Sequence, residues 1–128
     1  MKNQKVTKTA LIVEDNLILS LLYENYLKEA VFKTVGEIKS GAVAVDLVKK
    51  YKPEVVIMDI CLQGEMDGVT AMEKIRAFSE VPVIFITGNS DPENMKRAKS
   101  VSKSRFLTKP ISEDKLMRAV NVVLTPIA

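Results

Sequence analysis

The segment Val55-Val-Ile-Met-Asp59 indicates how the chain folds, because four apolar residues run without interruption and end on a single acid. Such a run is typical of a strand in a parallel sheet whose two faces are both covered by helices. Residues 9–13 and 81–86 are likewise almost continuously apolar, and residues 104–108 form a further candidate strand. Residues 32–36 mix polar and apolar side chains, which is typical of an edge strand. The sequence therefore predicts five strands.

Segments with apolar residues at helical spacing separate these strands along the chain. They are predicted at residues 17–27, 43–48, 69–76, 92–101 and 112–123. Asp91-Pro92-Glu93 offers an N-cap followed by a proline at the first helical position, and Ser112 offers an N-cap for the last helix. Five alternating β-α units predict an α/β fold, a doubly wound parallel sheet with five helices.

Length and composition predict one domain over residues 1–128. The chain is 47% hydrophobic and 27% charged, and a chain of this length can bury about two thirds of its unfolded surface. Residues 1–8, with three lysines, are expected to form a flexible leader. Because the sequence ends soon after the fifth predicted helix, no DNA-binding or other output domain is expected. The net charge of +3 is also too modest for a nucleic-acid tail.

The residue types that the sequence lacks exclude several chemistries. There is no histidine, which excludes a Ser-His-Asp or Cys-His nucleophile, a His-ligated zinc and a phosphohistidine on this chain. Cys61 is the single cysteine, so an internal disulfide and a multi-thiolate metal site are excluded. No apolar run approaches the roughly 18 residues of a membrane span, and no signal peptide is evident. We expect a cytoplasmic protein that does not bind membranes.

Chemically active side chains follow four of the predicted strands. Glu14 and Asp15 follow the first strand, Asp59 ends the third, Thr87 follows the fourth and Lys109 the fifth. If the strand order is 2-1-3-4-5, the carboxyl ends of these strands meet in one pocket. Neighbouring carboxylates repel one another, and a hard divalent cation, Mg²⁺ or Mn²⁺, relieves that repulsion. An incoming phosphoryl group would find its charge neutralised there, which leaves Asp59 free to act as the nucleophile.

Five short motifs, in order along the chain, resemble a known family. They are Leu11-Ile-Val-Glu-Asp-Asn16, Val56-Ile-Met-Asp59, Met66-Asp-Gly68, Val81-Pro-Val-Ile-Phe-Ile-Thr87 and Phe106-Leu-Thr-Lys-Pro110. Together they resemble the receiver domain of response regulators in two-component signal transduction, in its stand-alone, single-domain type. The resemblance extends from about residue 9 to residue 124. It implies a flavodoxin-like, five-stranded parallel sheet in the order 2-1-3-4-5.

The resemblance also implies a reaction. Asp59 would accept a phosphoryl group from a phosphohistidine on a sensor histidine kinase or a histidine phosphotransfer protein. Asp15, Asp59 and the backbone carbonyl of Cys61 would hold Mg²⁺, and Glu14 would assist through water. Lys109 would pair first with Asp59 and then with the phosphoryl group. The donor histidine must come from another protein, since this chain has none.

A conformational switch is the next implication of the resemblance. Thr87 would move to donate a hydrogen bond to a phosphoryl oxygen, and Phe106 would turn inward behind it. This movement would change the face made by the fourth helix, the fifth strand and the fifth helix, where a downstream protein would bind. Phe106 replaces a tyrosine common in the family, so the switch would work by packing alone. The Lys109–Pro110 peptide bond is expected to be cis.

The loop after Asp59 departs from the commonest family pattern. It is one residue longer, and Gly64 supplies the turn in place of a proline. Cys61 and Asn89 occupy the two positions at which the family tunes hydrolysis of the aspartyl phosphate. Because a thiol orients water poorly, we expect slow to moderate dephosphorylation. We expect Cys61 to fill space in the core rather than to sense redox state.

The charge pattern offers one further hypothesis. Residues 91–118 carry eight basic and four acidic side chains. A solvated surface is the usual explanation of such a run, and an output face for an acidic partner is the alternative.

Three functions remain open from the sequence. The leading hypothesis is a phosphorylation-controlled interaction switch, which catalyses only its own phosphorylation and dephosphorylation and is not an enzyme acting on metabolites. The second is a receiver-shaped interaction module that is never phosphorylated. The third is a Mg²⁺-dependent phosphohydrolase, disfavoured because Cys61 stands where such enzymes carry a second acid. We expect a monomer or a weak dimer that forms on phosphorylation.

Overall fold

Strands and helices alternate along the chain in the computed structural model, which describes residues 8–29, 32–38, 40–62, 64, 66–88 and 92–125. The strands are β1 (Lys8–Val13), β2 (Phe32–Ile38), β3 (Val55–Asp59), β4 (Val83–Thr87) and β5 (Ser104–Thr108). The helices are α1 (Leu17–Glu29), α2 (Gly41–Tyr51), α3 (Gly68–Ile75), α4 (Pro92–Lys99) and α5 (Glu113–Leu124). Each predicted strand and helix is found. No helix within the described ranges is both long and apolar enough to cross a membrane.

The five strands form one parallel sheet in the order β2-β1-β3-β4-β5. This confirms the predicted fold class and strand order. In the register of the sheet, Val13 lies beside Met58, and Asp59 lies beside Ile86. Because all strands run the same way, the residues that follow β1, β3, β4 and β5 emerge at one edge of the sheet.

Helices cover both faces of the sheet, which explains why its central strands are apolar up to their last residue. β3 and β4 are buried at every residue. One core lies between the sheet and α2, α3 and α4, and it contains Met72 and Phe85. The other lies between the sheet and α1 and α5, and it contains Tyr23 and Leu116. Burial of each such side chain stabilises the fold by about 1.5–3 kcal/mol.

Several strand boundaries differ from the sequence prediction, and β2 and β4 extend to Ile38 and Thr87 rather than to residues 36 and 86. β1 begins at Lys8, a residue that the sequence placed in the flexible leader, while residues 1–7 lie outside the described residues. β4 begins at Val83 rather than at residue 81, because Pro82 has no N–H to donate to a neighbouring strand. The carbonyl of Pro82 still accepts a 3.0 Å hydrogen bond from the N–H of Val56 on β3.

The predicted helix caps are found where the structure describes them. Ser112 is the N-cap of α5, and its hydroxyl accepts a 3.1 Å hydrogen bond from the N–H of Lys115. Asp91, the predicted cap of α4, lies outside the described residues. An N-cap of this kind stabilises a helix by about 1 kcal/mol.

α1 buries only part of the apolar pattern that predicted it, which comprised Leu17, Leu21, Tyr23, Tyr26 and Leu27. Leu17 and Leu21 are 47% and 49% exposed. Among the side chains that the structure describes in α1, Ser20, Tyr23 and Leu27 are buried, because this side of the helix packs against β1, β2 and α5. The helix is therefore found as predicted, with its leucines at positions 17 and 21 outside the core.

Candidate functional site

Three carboxylates meet at the carboxyl edge of the sheet. Glu14 and Asp15 directly follow β1, and Asp59 is the last residue of the adjacent strand β3. One carboxylate oxygen from each side chain lies within 4.8 Å of the other two. Glu14 and Asp59 are buried, whereas Asp15 is half-buried. The structure thus brings together the three acids that the sequence placed at strand ends.

Lys109 brings a positive charge to this cluster. Its Nζ lies 3.1 Å from Glu14 Oε1 and donates a 3.4 Å hydrogen bond to Asp59 Oδ2. Burial alone would lower the pKa of Lys109, but the two carboxylates outweigh it and raise the pKa above its usual value. The backbone N–H of Lys109 donates to the carbonyl of Thr87 at 2.8 Å, which joins the ends of β4 and β5. The following Lys109–Pro110 peptide bond is cis.

Glu14 lies in surroundings that disfavour its ionised form. Burial, and then the neighbouring carboxylate of Asp59, raise the pKa of Glu14 to about 7. The N–H of Asn16, which donates to Glu14 Oε2 at 3.1 Å, and the ammonium of Lys109 oppose this shift without cancelling it. Among the described residues, Glu14 Oε1 is a buried oxygen without a well-aligned hydrogen-bond donor. One ammonium group therefore does not balance this cluster.

The donor set fits a hard divalent cation. All three side chains offer carboxylate oxygens, and Mg²⁺ is held in proteins by one or two carboxylates together with water. Glu14 Oε1, which is paired with Lys109 but has no well-aligned donor, and the half-buried carboxylate of Asp15 provide acceptor capacity within the cluster. A cation there would also relieve the repulsion that raises the pKa of Glu14. Glu14, Asp15 and Asp59 are thus suited to Mg²⁺ or Mn²⁺.

The backbone around Asp59 is fixed by hydrogen bonds and by a close approach of α3. The N–H of Cys61 donates to Asp59 Oδ1 at 3.1 Å, and the N–H of Ile60 donates to the carbonyl of Ile86 at 3.0 Å. Gly68, the first residue of α3, donates its N–H to the carbonyl of Ile60 at 2.9 Å. A Cβ at Gly68 would collide with the backbone carbonyl of Asp59. These contacts hold the backbone of Asp59, and the N–H of Cys61 orients its carboxylate.

The side chain of Cys61 is exposed, so the prediction that it fills space in the core is wrong. Cys61 lies two residues beyond the end of β3, where the chain has left the buried sheet. Its backbone contacts Asp59, as described above, and its thiol does not belong to either core cluster. Gly64 in the same loop has a φ of +101°, a left-handed conformation that suits glycine, as its proposed turn role requires. Asn89, the other predicted tuning residue, lies outside the described residues.

The two predicted switch residues lie on neighbouring strands. Thr87 ends β4 and is fully buried. Phe106, on β5, is half-buried and packs against the core beneath α3 and α4. A cavity of about 280 Å³ opens between α4 and β5 beside Phe106. Its lining residues are Ala98, Lys99, Ser104, Arg105 and Phe106.

One polar cluster beside this site has no counterpart in the sequence analysis. Arg97 of α4 forms a two-pronged ion pair with Asp67, the N-cap of α3, with N–O distances of 2.8 and 3.1 Å. The sequence presented Arg97 as one of several basic residues on a solvated face. Asp67 stood in the Met66-Asp-Gly68 motif without an assigned role. The sequence did indicate that Asp67, which precedes a glycine, could cap a helix. It could not indicate the ion pair, because Arg97 is 30 residues away along the chain.

An open, parallel α/β sheet of this order, with an acidic pocket at its carboxyl edge, defines a flavodoxin-like fold. Residues 10–121 match the family model described as the response regulator receiver domain. The chain therefore belongs to the response regulator receiver domain family.

Proteins of known name and known structure agree with this assignment. The chain is 31% identical over 121 residues to the chemotaxis protein CheY of Halobacterium salinarum, covering 94% of this chain and 99% of that protein. It is 29% identical to the transcriptional regulatory protein PdtaR of Mycobacterium tuberculosis, of whose length it spans 58%. The signal receiver domain of a modulated diguanylate cyclase from Desulfovibrio desulfuricans superimposes with a TM-score of 0.84. That structure is 30% identical, and the match covers 93% of this chain and 94% of that one.

Proposed function

We propose that Asp59 accepts a phosphoryl group from a phosphohistidine of a partner protein in a Mg²⁺-dependent reaction. The observation that carries this proposal is the arrangement of Asp59 itself. Its carboxylate lies with those of Glu14 and Asp15 within 4.8 Å and receives a hydrogen bond from Lys109. The partner is a sensor histidine kinase or a histidine phosphotransfer protein.

The reaction is a simple displacement at phosphorus. A carboxylate oxygen of Asp59 forms the new O–P bond while the P–N bond to the donor imidazole breaks, and the imidazole leaves with the electron pair. Lys109, already next to Asp59, neutralises a phosphoryl oxygen as the charge moves. Asp15, Asp59 and the backbone carbonyl of Cys61 would hold Mg²⁺, with Glu14 assisting through water. When bound, Mg²⁺ neutralises the charge on the phosphoryl oxygens.

The surface beside the pocket supports docking of a donor protein. Leu17, Ile18, Leu21 and Leu22, on the first turns of α1, are between 37% and 78% exposed. An exposed group of large apolar side chains marks an interaction site more often than chance. This group begins two residues after Asp15, so a protein that covers it is placed to bring its phosphohistidine to Asp59.

The output face is formed by α4, β5 and α5. Thr87 lies at the pocket, and the cavity beside Phe106 offers room for the ring to move when Thr87 is drawn toward a phosphoryl oxygen. Lys99 and Arg105 line this cavity, whose lining residues include no acid. Both are exposed. The charge of this face fits an acidic downstream protein, as the excess of basic residues in the sequence also indicates.

The test uses phosphoramidate, a small donor with a P–N bond like that of phosphohistidine, and follows the intact mass of the protein. We expect one phosphoryl adduct that requires Mg²⁺ and does not form in Asp59→Asn. A wild-type protein that binds Mg²⁺ but gains no adduct would favour the unphosphorylated interaction module. Continuous release of phosphate from a phosphate ester would favour the phosphohydrolase.

A further inference from the structure

We propose that the ion pair between Arg97 and Asp67 is an inhibitory strap, which holds α4 in its unphosphorylated position and opposes activation. Arg97 is a positioning residue in this account, since it acts through Asp67 and does not touch the reacting atoms. The inference rests on the proposed function, because activation means phosphorylation of Asp59.

α4 has little apolar anchorage of its own. Of its eight residues, Ala98 is the buried one. Burial of a single small side chain stabilises a helix weakly in comparison with the large side chains that hold the other helices. Polar contacts therefore contribute a large share of what positions α4.

Arg97 makes a polar contact of this kind with α3. Its Nη1 donates to Asp67 Oδ2 at 2.8 Å, and its Nη2 donates to Asp67 Oδ1 and to Thr70 Oγ1, both at 3.1 Å. Arg97 also donates to Asn94 Oδ1 at 3.3 Å on its own helix. Two parallel N–H···O bonds to one carboxylate fix both the distance and the orientation of the two groups.

Asp67 connects this contact to the backbone that carries Asp59. Its Oδ1 accepts a 2.9 Å hydrogen bond from the N–H of Thr70 and so caps α3. The next residue, Gly68, donates to the carbonyl of Ile60 and packs directly on the backbone of Asp59. The end of β3, the start of α3 and the middle of α4 are therefore linked through consecutive short contacts.

The other end of α4 follows the switch strand. Thr87 ends β4 and α4 begins at Pro92, so a displacement of Thr87 toward a phosphoryl group must be taken up within four residues or passed to α4. The strap resists that movement from the α3 side. It can also break, because the side chains of Arg97 and Asp67 are 38% and 33% exposed and water can replace the lost partner.

The experiment measures the affinity of the 128-residue chain for beryllium fluoride, an unreactive analogue of the phosphoryl group, at saturating Mg²⁺ by fluorine NMR. We expect Arg97→Gln and Asp67→Asn each to raise the affinity about fivefold, the effect of losing a partly exposed ion pair that stabilises the inactive state. The double variant should show no further gain, since both substitutions remove the same contact. Asparagine caps a helix as well as aspartate does, so Asp67→Asn separates the strap from the cap.

The two substitutions change the charge in opposite directions, which distinguishes loss of the ion pair from a long-range electrostatic effect. Arg97→Gln removes a positive charge and Asp67→Asn removes a negative one, so a long-range electrostatic effect on the pocket would move the two affinities in opposite directions. Loss of the strap moves both upward. Lys96→Gln, which removes an exposed positive charge from the same helix, is the matched control and should leave the affinity unchanged.

The remaining outcomes would overturn either the strap or the proposed function. Unchanged or lower affinity in Arg97→Gln and Asp67→Asn, opposite shifts in the two variants, or gains that add in the double variant would overturn the strap. Failure of the wild-type protein itself to bind beryllium fluoride with Mg²⁺ would overturn the proposed function, and the strap with it. The two failures are distinguishable, because the first appears in the variants alone.

Discussion

At the scale of single residues, Gly68 lets α3 pack directly against the backbone of the proposed phosphoacceptor. A side chain at Gly68 would collide with the carbonyl of Asp59 and crowd Met58. We expect Gly68→Ala to lower the free energy of unfolding by about 1–3 kcal/mol, a typical effect of forcing an extra carbon into packed backbone. Urea unfolding measures this change.

Gly88→Ala is the control for this substitution. A Cβ at Gly88 would meet only Lys109 Cδ, 3.8 Å away, which is an ordinary contact. We expect its effect on unfolding to be less than about 1 kcal/mol. Equal losses in the two variants would contradict the packing argument.

The ionisation of Asp67 gives a prediction about pH. Burial would raise the pKa of Asp67, but its hydrogen bonds from Arg97 and Thr70 outweigh burial and lower the pKa below 3.8. A lowered carboxylate pKa contributes stability that is fully present above the unfolded value and is lost as pH falls through the folded value. Wild type should therefore exceed Asp67→Asn in stability by up to about 1 kcal/mol at pH 5, and the difference should vanish at lower pH.

Urea unfolding between about pH 2 and pH 5 checks this prediction. Asp114→Asn breaks an ion pair with Arg118 in which both side chains are at least 70% exposed, so it should cost less across the range. A difference between wild type and Asp67→Asn that grows as pH falls would contradict the assignment.

The acids and the lysine of the site could be predicted from the sequence, because each directly follows a strand and parallel strands end at one edge. The exposed side chain of Cys61 could not be predicted, since it depends on the path of a loop. The pairing of Arg97 with Asp67 escaped prediction for another reason. Charged residues on helix surfaces are common, and nothing in their local sequence specifies a partner on a different helix.

At the scale of elements, the five helices and five strands could be predicted from periodicity, but the buried side of α1 could not. Leucines stand on both sides of this helix, and the sheet selects the side that carries Tyr23 and Leu27. The apolar residues left outside form the proposed docking surface.

Ile18 is the most exposed residue of that surface, at 78%. We expect Ile18→Glu to slow phosphoryl transfer from a phosphorylated histidine phosphotransfer protein by about tenfold or more, because a charge would be buried in an apolar interface. The rate with phosphoramidate should not change, since a small donor needs no docking surface. Intact mass measured over time gives both rates.

Asn25→Glu introduces the same charge at an exposed position further along α1 and serves as the control. This variant should accept the phosphoryl group from both donors at the wild-type rate. Equal slowing by Ile18→Glu with the protein donor and with phosphoramidate would contradict a docking role, because the defect would then lie in the pocket itself.

At the scale of the whole molecule, the strand order creates the site. The order places β1 and β3 side by side at the centre, so Glu14, Asp15 and Asp59 converge, and β4 and β5 add Thr87 and Lys109. Periodicity alone predicts a parallel sheet without fixing this order. The order came from the resemblance to receiver domains, carried by five motifs spread over the chain, and the structure confirms it.

The most direct test of the account is the Mg²⁺ dependence of phosphorylation by phosphoramidate in wild type, Asp15→Asn and Asp46→Asn. Asp46 is an exposed acid on α2 and serves as the control. We expect a rate that rises to saturation with Mg²⁺ in wild type and Asp46→Asn. In Asp15→Asn, the Mg²⁺ concentration that gives half of the maximal rate should be higher by about tenfold or more. Phosphorylation of wild type at full rate in a chelator, or an unchanged Mg²⁺ requirement in Asp15→Asn, would contradict the account.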